Sequence, residues 1–553
     1  MKKIILTLLL CCYLPIMGKS TSSTNSYFMQ RAVEAYRNND AETAIRNLSN
    51  ELEHNPTNGY AHMLVALVCN ENDAYGSMLQ YAKTALQYLP KSEHEGRCAM
   101  YGMLSDLYLN AKDTTRALEY LQMAQKEMPK EEKNYHALID LYIARNNHAE
   151  AMRYAKTFVK QMPNNPDAYS GMVIVLEEEE QYTEALQYCN KALSKSEPKS
   201  AEMSRGLLAR AQVEIDLKQP SEALKDLLDA TRIDFWDETE DIVNRLNDTI
   251  PEELLDSLLA MHQADSSNIF WDILLFDTYR GQHNYTQSVQ TGFALLPRFT
   301  NKTLIYTVAS DLENHFSDYE LSERMLLKQL DADSTSAGTY ARLEEVYYEQ
   351  GRYNEALLMA EKALSFNPRD SEKAAIYQMR GRIRLQQHDY REAINDFMAG
   401  MIADPDDCSY WFTIGRIYGM LNDSAKQEDA FEQGRKAYSL RGWELSEGAY
   451  VALGDTTAAF EAAKAMVTKP NSAYQHYNAA CIYAQIGYPE EALQELRLAF
   501  ENKMRDFYHI AWDPDLDSLR TMPEFLELVS EFQRITEREK QELRSTIDLE
   551  LNY

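Results

Sequence analysis

Between Ala337 and Pro368 the apolar positions follow a helical period. Tyr340, Leu343 and Tyr347 fall at i, i+3 and i+7, one face of a first helix. Gln350, Gly351 and Arg352 interrupt the pattern, and glycine suits a helix stop. Ala356, Ala360 and Ala363 then line one face of a second helix. Small residues facing large ones let two helices approach closely while the tyrosines fill the space beside them. The pattern predicts an antiparallel helix pair.

Prolines mark how often the pair recurs. Pro56, Pro90, Pro129, Pro163 and Pro198 stand 34, 39, 34 and 35 residues apart, and Pro368 and Pro405 are 37 apart. Proline cannot continue a helix, so a stop at this interval means a recurring supersecondary unit. The residues of that unit resemble the tetratricopeptide-repeat family: Tyr340, Leu343, Tyr347, Ala356, Ala360, Ala363 and Pro368 match its pattern, with Glu344 where the family has glycine. Tyr377, Gly381, Ala393, Phe397 and Pro405 match in the next copy, and Trp411, Ile414, Gly415, Tyr418 and Phe431 in the one after. Near the start, Tyr101, Tyr108, Ala117, Leu121, Ala124 and Pro129 match, as do Tyr135, Leu138, Tyr142, Ala151, Ala155, Phe158 and Pro163. The resemblance implies an all-α, right-handed solenoid of about fourteen helix pairs.

The copies are not uniform. Residues 235–334 carry Trp236, Trp271 and Tyr306 at helix starts but a poor small-residue face, which predicts degenerate repeats and a bend between two arrays. Residues 21–234 form the first array and 335–512 the second. Residues 513–553 form a capping helix and polar tail, because Asp513 to Phe525 resembles the segment that covers the last apolar face of such arrays. Residues 1–20 read as a secretory signal: Lys2 and Lys3, an apolar run from Ile4 to Leu14, then a polar stretch. Leu10 stands where a lipobox wants a small residue, so a lipid anchor on Cys11 or Cys12 is not the favoured reading. The expectation is a chain exported to the periplasm or cell envelope of a Gram-negative bacterium, with no integral span after signal removal.

Charge and chemistry narrow the function. The formal net charge is -30, which argues against nucleic acid as a partner. Cys69, Cys98, Cys189, Cys408 and Cys481 are odd in number and widely spaced, so they read as buried small apolar groups rather than a disulfide framework. No zinc helix, Cys-x-x-Cys pair, nucleophile elbow or phosphate loop is present. Asp513, Asp515, Asp517 and Glu524 approach a calcium-loop spacing, but Ser518 replaces the turn glycine and Arg520 adds positive charge, so capping is preferred. The reading is a non-enzyme with no cofactor and no metal.

The partners expected are other proteins or peptides, held on the face of the first helices. Arg342, Arg382 and Arg416 fall on three successive first helices, with Tyr348, Gln378 and Phe412 beside them. On an acidic protein such a set would take an acidic or extended segment. In the earlier array the corresponding positions offer Asp106, His136, Asp140 and Glu177, whose carboxylates would repel a carboxylate terminus. Finally, Asp-Ser/Thr tripeptides at Thr114, Ser424 and Thr456 resemble an O-glycosylation sequon of some Gram-negative bacteria. The same residues are good helix N-caps. A scaffold is the leading function, and a peptide-binding sensor of an envelope signalling system is the alternative.

Overall fold

The structure is a computed structural model. It describes residues 26–551 apart from residues 39, 73, 237, 300, 406, 442, 469–472 and 548. The signal-like segment, with Cys11 and Cys12, lies outside the described residues. Among the described residues there are thirty α-helices and no strand, arranged in successive antiparallel pairs. The protein is an α-solenoid.

Why these residues make hairpins is visible at the turns. A residue in the left-handed region ends the first helix of nearly every pair. It is Lys112, Asn146 and Glu180 early on, then Lys218, His283, Ser317, Gly351, His388, Asn422, Gly454 and Gly487. The series 112, 146, 180 and the series 283, 317, 351 each step by 34. The turn is therefore the same with or without glycine, a backbone form that most side chains adopt only at some cost. Across the turn a short polar side chain caps the second helix. Asp113 accepts a hydrogen bond from the Arg116 amide at 3.1 Å, and Asp455 from that of Ala458 at 3.0 Å.

Between the paired helices the predicted large-on-small packing is seen. Ala356, Ala360 and Ala363 are fully buried under Tyr340, Leu343 and Tyr347. Phe397 lies against Gly381, where a Cβ would come within 2.9 Å of the ring.

The chain divides into two compact units, one ending at Ile250 and the other beginning at Pro251. In the first, helices pack on neighbours close in sequence. The second continues the hairpins through residues 269–332, with helices Ile269–Gly281, Tyr285–Leu295, Lys302–Phe316 and Tyr319–Ala332. The small-residue face that looked poor in the sequence is supplied here by Ser288, Gly292 and Ser322. Both serines are completely buried, and a Cβ on Gly292 would meet Val308 at 2.5 Å. Their hydroxyls are satisfied by carboxylates, Ser288 by Asp311 at 3.4 Å and Ser322 by Glu313.

The second unit also folds back on itself. Leu516 and Leu519 are fully buried against the last hairpin. The final helix, Pro523–Arg544, then delivers Leu543 into the core built by residues 276–383, and Leu551, beyond the helix, joins the same core. Arg544 binds Asp318 with its Nε 2.7 Å from the carboxylate, and the Arg505 amide donates to the Asn314 carbonyl at 2.7 Å.

Candidate functional site

The six residues expected to line the binding face sit on the helices Ala337–Glu349, Asp370–Gln386 and Tyr410–Met420. The structure separates them. Arg342 is half-buried and its charge is spent within the fold, on Glu313 at 3.2 Å and on Glu345. Gln378 is half-buried and donates to Asp407 at 3.1 Å. Phe412 does not reach the face at all. It is only 3% exposed, packing 6.2 Å from the Phe431 ring, because Gly434 leaves a hole that a Cβ would close to 2.8 Å. A glycine on the facing helix admits a ring from its neighbour.

Three residues remain at least partly open to solvent on these helices. Arg382 is exposed, hydrogen-bonded to Tyr410 and beside Tyr348. Among the described residues no carboxylate forms an ion pair with it. Burial raises the Tyr348 phenol well above its usual range, helped by the charge of Glu349. Arg416 is exposed and stands 4.0 Å from Asp515 of the capping segment. Burial, with Asp513 beside it, pushes the Asp515 carboxyl up to about 6 although Arg416 opposes this.

Next to this face is a cluster that sequence reasoning missed. Asp506 and His509, at the end of the second array, and Asp513 of the capping segment meet Tyr319 and Glu349 of the earlier repeats. The Tyr319 hydroxyl donates to Asp506 at 2.6 Å. His509 places Nδ1 2.9 Å from Glu349 and Nε2 3.5 Å from Asp513. Tyr477 donates to Asp513 at 2.6 Å. Burial alone would lower the His509 pKa, but the hydrogen bonds to Asp513 and Glu349 and the nearby carboxylate charges push it up to about 11. Asp513 moves the other way: burial opposes ionisation, yet His509 and Tyr477 hold it at about 2. Donor atoms of Glu349, Asp506 and His509 all lie within 4.8 Å of one another. The partners are some 160 positions apart, so no local spacing announces them.

The calcium-like spacing is used differently. Asp513 caps the Asp515 amide at 2.9 Å, and Asp517 pairs with Arg520 at 2.8 Å. In the first unit Asp106 and Asp140 are exposed, and burial of their surroundings raises both carboxyls. Glu177 is half-buried and pushed up to about 7, first by burial and then by Asp216, with Arg245 opposing. Of the sequon-like residues, Ser424 and Thr456 are exposed and Thr114 is half-buried. Cys98, Cys189, Cys408 and Cys481 are buried, and Cys69 is half-buried.

Comparison with known proteins adds the family. Residues 136–201 match the family model described as tetratricopeptide repeat. That stretch carries tetratricopeptide repeats. Solved structures similar to it include a tetratricopeptide repeat protein from Parabacteroides merdae, at 15% identity over 47% of this chain and 99% of that one, with a TM-score of 0.34. Another is pilF of Pseudomonas aeruginosa, at 19% identity over 37% and 89%, with a TM-score of 0.29. A third is a Naa15/Naa10 complex bound to HypK-THB, at 15% identity over 94% and 81%, with a TM-score of 0.28. At TM-scores this low none of them says what this chain binds.

Proposed function

We propose that this tetratricopeptide-repeat protein is a non-catalytic scaffold of the bacterial cell envelope that holds partner proteins or peptides on the inner face of its second unit. The observation that carries this reading is Arg382. It is an exposed guanidinium set beside two tyrosines, with no ion pair of its own among the described residues. An unspent cation beside aromatic rings is suited to a carboxylate or an acidic stretch of extended chain. Arg416 extends the same face, where Asp515 already offers it a carboxylate. Arg342 drops out, since Glu313 and Glu345 neutralise it.

The test is partner capture from envelope extracts with Arg382→Glu and Arg416→Glu combined. Both side chains are exposed, so the variant keeps its fold, and capture falls by an order of magnitude or more. Capture at the wild-type level would end the reading. Envelope location rests on the segment Lys2 to Leu14 and is tested separately, by N-terminal sequencing and fractionation of the native cell. Among the described residues no helix is long and apolar enough to cross a membrane.

Ser424 and Thr456, exposed at hairpin turns, are the better placed of the three sequon-like residues to carry a sugar. Intact mass of protein from the native host decides this. A mass equal to the bare chain rules it out.

A further inference from the structure

We propose that Glu349, Asp506 and His509 bind one divalent transition-metal ion, of the Zn2+ class, which fastens the short helix Phe507–Trp512, just before the capping segment, to the earlier repeats of the second unit. This is independent of the scaffold reading.

The donor set is a carboxylate from the end of helix Ala337–Glu349, a carboxylate just before the short helix Phe507–Trp512, and an imidazole within that helix. One nitrogen and two oxygens suit zinc or manganese rather than calcium or magnesium, which prefer oxygen alone. The three donor atoms lie within 4.8 Å of one another. A tetrahedral ion with bonds of ~2.0–2.2 Å sets its donors ~3.3 Å apart. Small side-chain rotations close that difference, and the Glu349 to His509 contact of 2.9 Å opens slightly.

The surroundings orient each donor as a metal site requires. With Nδ1 of His509 turned to Glu349, its Nε2 faces Asp513 at 3.5 Å. A metal-bound histidine characteristically gives its other N–H to a carboxylate, which fixes the tautomer and the ring plane. Asp513 is itself held by Tyr477 at 2.6 Å. Asp506 uses Oδ1 for both of its hydrogen bonds, from the Tyr319 hydroxyl at 2.6 Å and the His509 amide at 3.0 Å. Its Oδ2 takes part in neither.

Charge balance points the same way. Three carboxylates, from Glu349, Asp506 and Asp513, face one imidazole. Of the cations around them, Arg382 acts on Glu349 at longer range without an ion pair among the described residues, and Arg342 is engaged by Glu313 and Glu345. Uncompensated buried charge is costly, and a divalent ion removes the imbalance. The competing occupant is a proton, making His509 an imidazolium that donates to Glu349 and Asp513 at once.

The experiment uses the full chain, stripped with EDTA and titrated with Zn2+ and, separately, Mg2+. Native mass spectrometry is expected to show one Zn2+ kept per chain through buffer exchange, and Mg2+ not kept. Zn2+ raises the melting temperature of the second unit. Glu349→Gln and His509→Gln, each with unchanged circular dichroism, weaken Zn2+ binding at least ~10-fold. Should a variant misfold, a zinc-edge anomalous map of wild-type crystals decides: a peak among Glu349, Asp506 and His509 supports the site. No retained Zn2+, retention unaffected in both folded variants, or a peak elsewhere overturns it and leaves the proton as the occupant.

Discussion

In the first unit helices pack on their neighbours in sequence, and the acids buried there are few: Glu51, Glu214 and Asp226. In the second, Asp272, Asp311, Glu313, Asp318, Glu344, Asp396, Asp506 and Asp513 are all buried, and the end of the chain returns to helices laid down 187 to 226 residues earlier. The two facts belong together. A stack that grows by neighbour contacts is held by shape and apolar area, which any well-matched hairpin supplies. Docking a distant segment in one register asks for directional contacts, and buried acids meeting arginine, tyrosine and histidine provide them. The contacts hold only while every partner stays, since a buried charge left alone is strongly destabilising.

The sharpest way to break the contrast is Arg544→Ala. It leaves Asp318, 1% exposed, without its guanidinium and should cost about 3–5 kcal/mol. Hydrogen exchange should then rise in residues 302–332 as well as in the final helix. A rise confined to residues 523–551 would mean that the return contact does not stabilise the repeats it touches.

Glu344 tests the cost of the buried acids from the other side. It stands where the family has glycine, is 1% exposed, and its Oε1 has no hydrogen-bond partner. Burial pushes its carboxyl up to about 9, with Arg380 only partly opposing. The folded state therefore holds a proton that the unfolded chain, titrating at about 4.3, releases. Stability from this group is complete below the unfolded pKa and is lost as pH rises toward 9. Glu344→Gln keeps the neutral shape and should stabilise the second unit by about 1–3 kcal/mol at pH 7. Urea titrations at pH 5 and pH 8 read it: the gain should grow with pH, and equal gains at both would refute the protonated acid.

In the first unit effects should be smaller and local. Asp113→Ala removes an N-cap and should cost about 1 kcal/mol, with faster exchange only in residues 94–127. Spread into other hairpins would show longer-range coupling there than the packing suggests. The smallest change is Glu177→Gln. Glu177 is pushed up to about 7 by burial but keeps contact with water, so its replacement should gain no more than about 0.5 kcal/mol at pH 8. A larger gain would place the side chain in a drier setting.

The sequence made the helix pairs legible because their code is local. Tyr340, Leu343 and Tyr347 against Ala356, Ala360 and Ala363 lie within one hairpin, and period and residue size suffice to read them. The same code concealed residues 269–332, where Ser288, Gly292 and Ser322 do alanine's work and the turn residues are His283 and Ser317 rather than glycine. It also misplaced Phe412, since the hole that takes its ring belongs to Gly434 on the next helix. Arg342 and Arg382 look alike in sequence and differ only in what surrounds them.

Residue size and periodicity, acting over a few turns, determined an all-helical solenoid of repeats. Which arginine stays free, which acid is buried, and that Glu349, Asp506 and His509 meet at all were decided by the fold of the second unit. Those outcomes depend on contacts between residues that share no local pattern, and only the path of the whole chain brings them together.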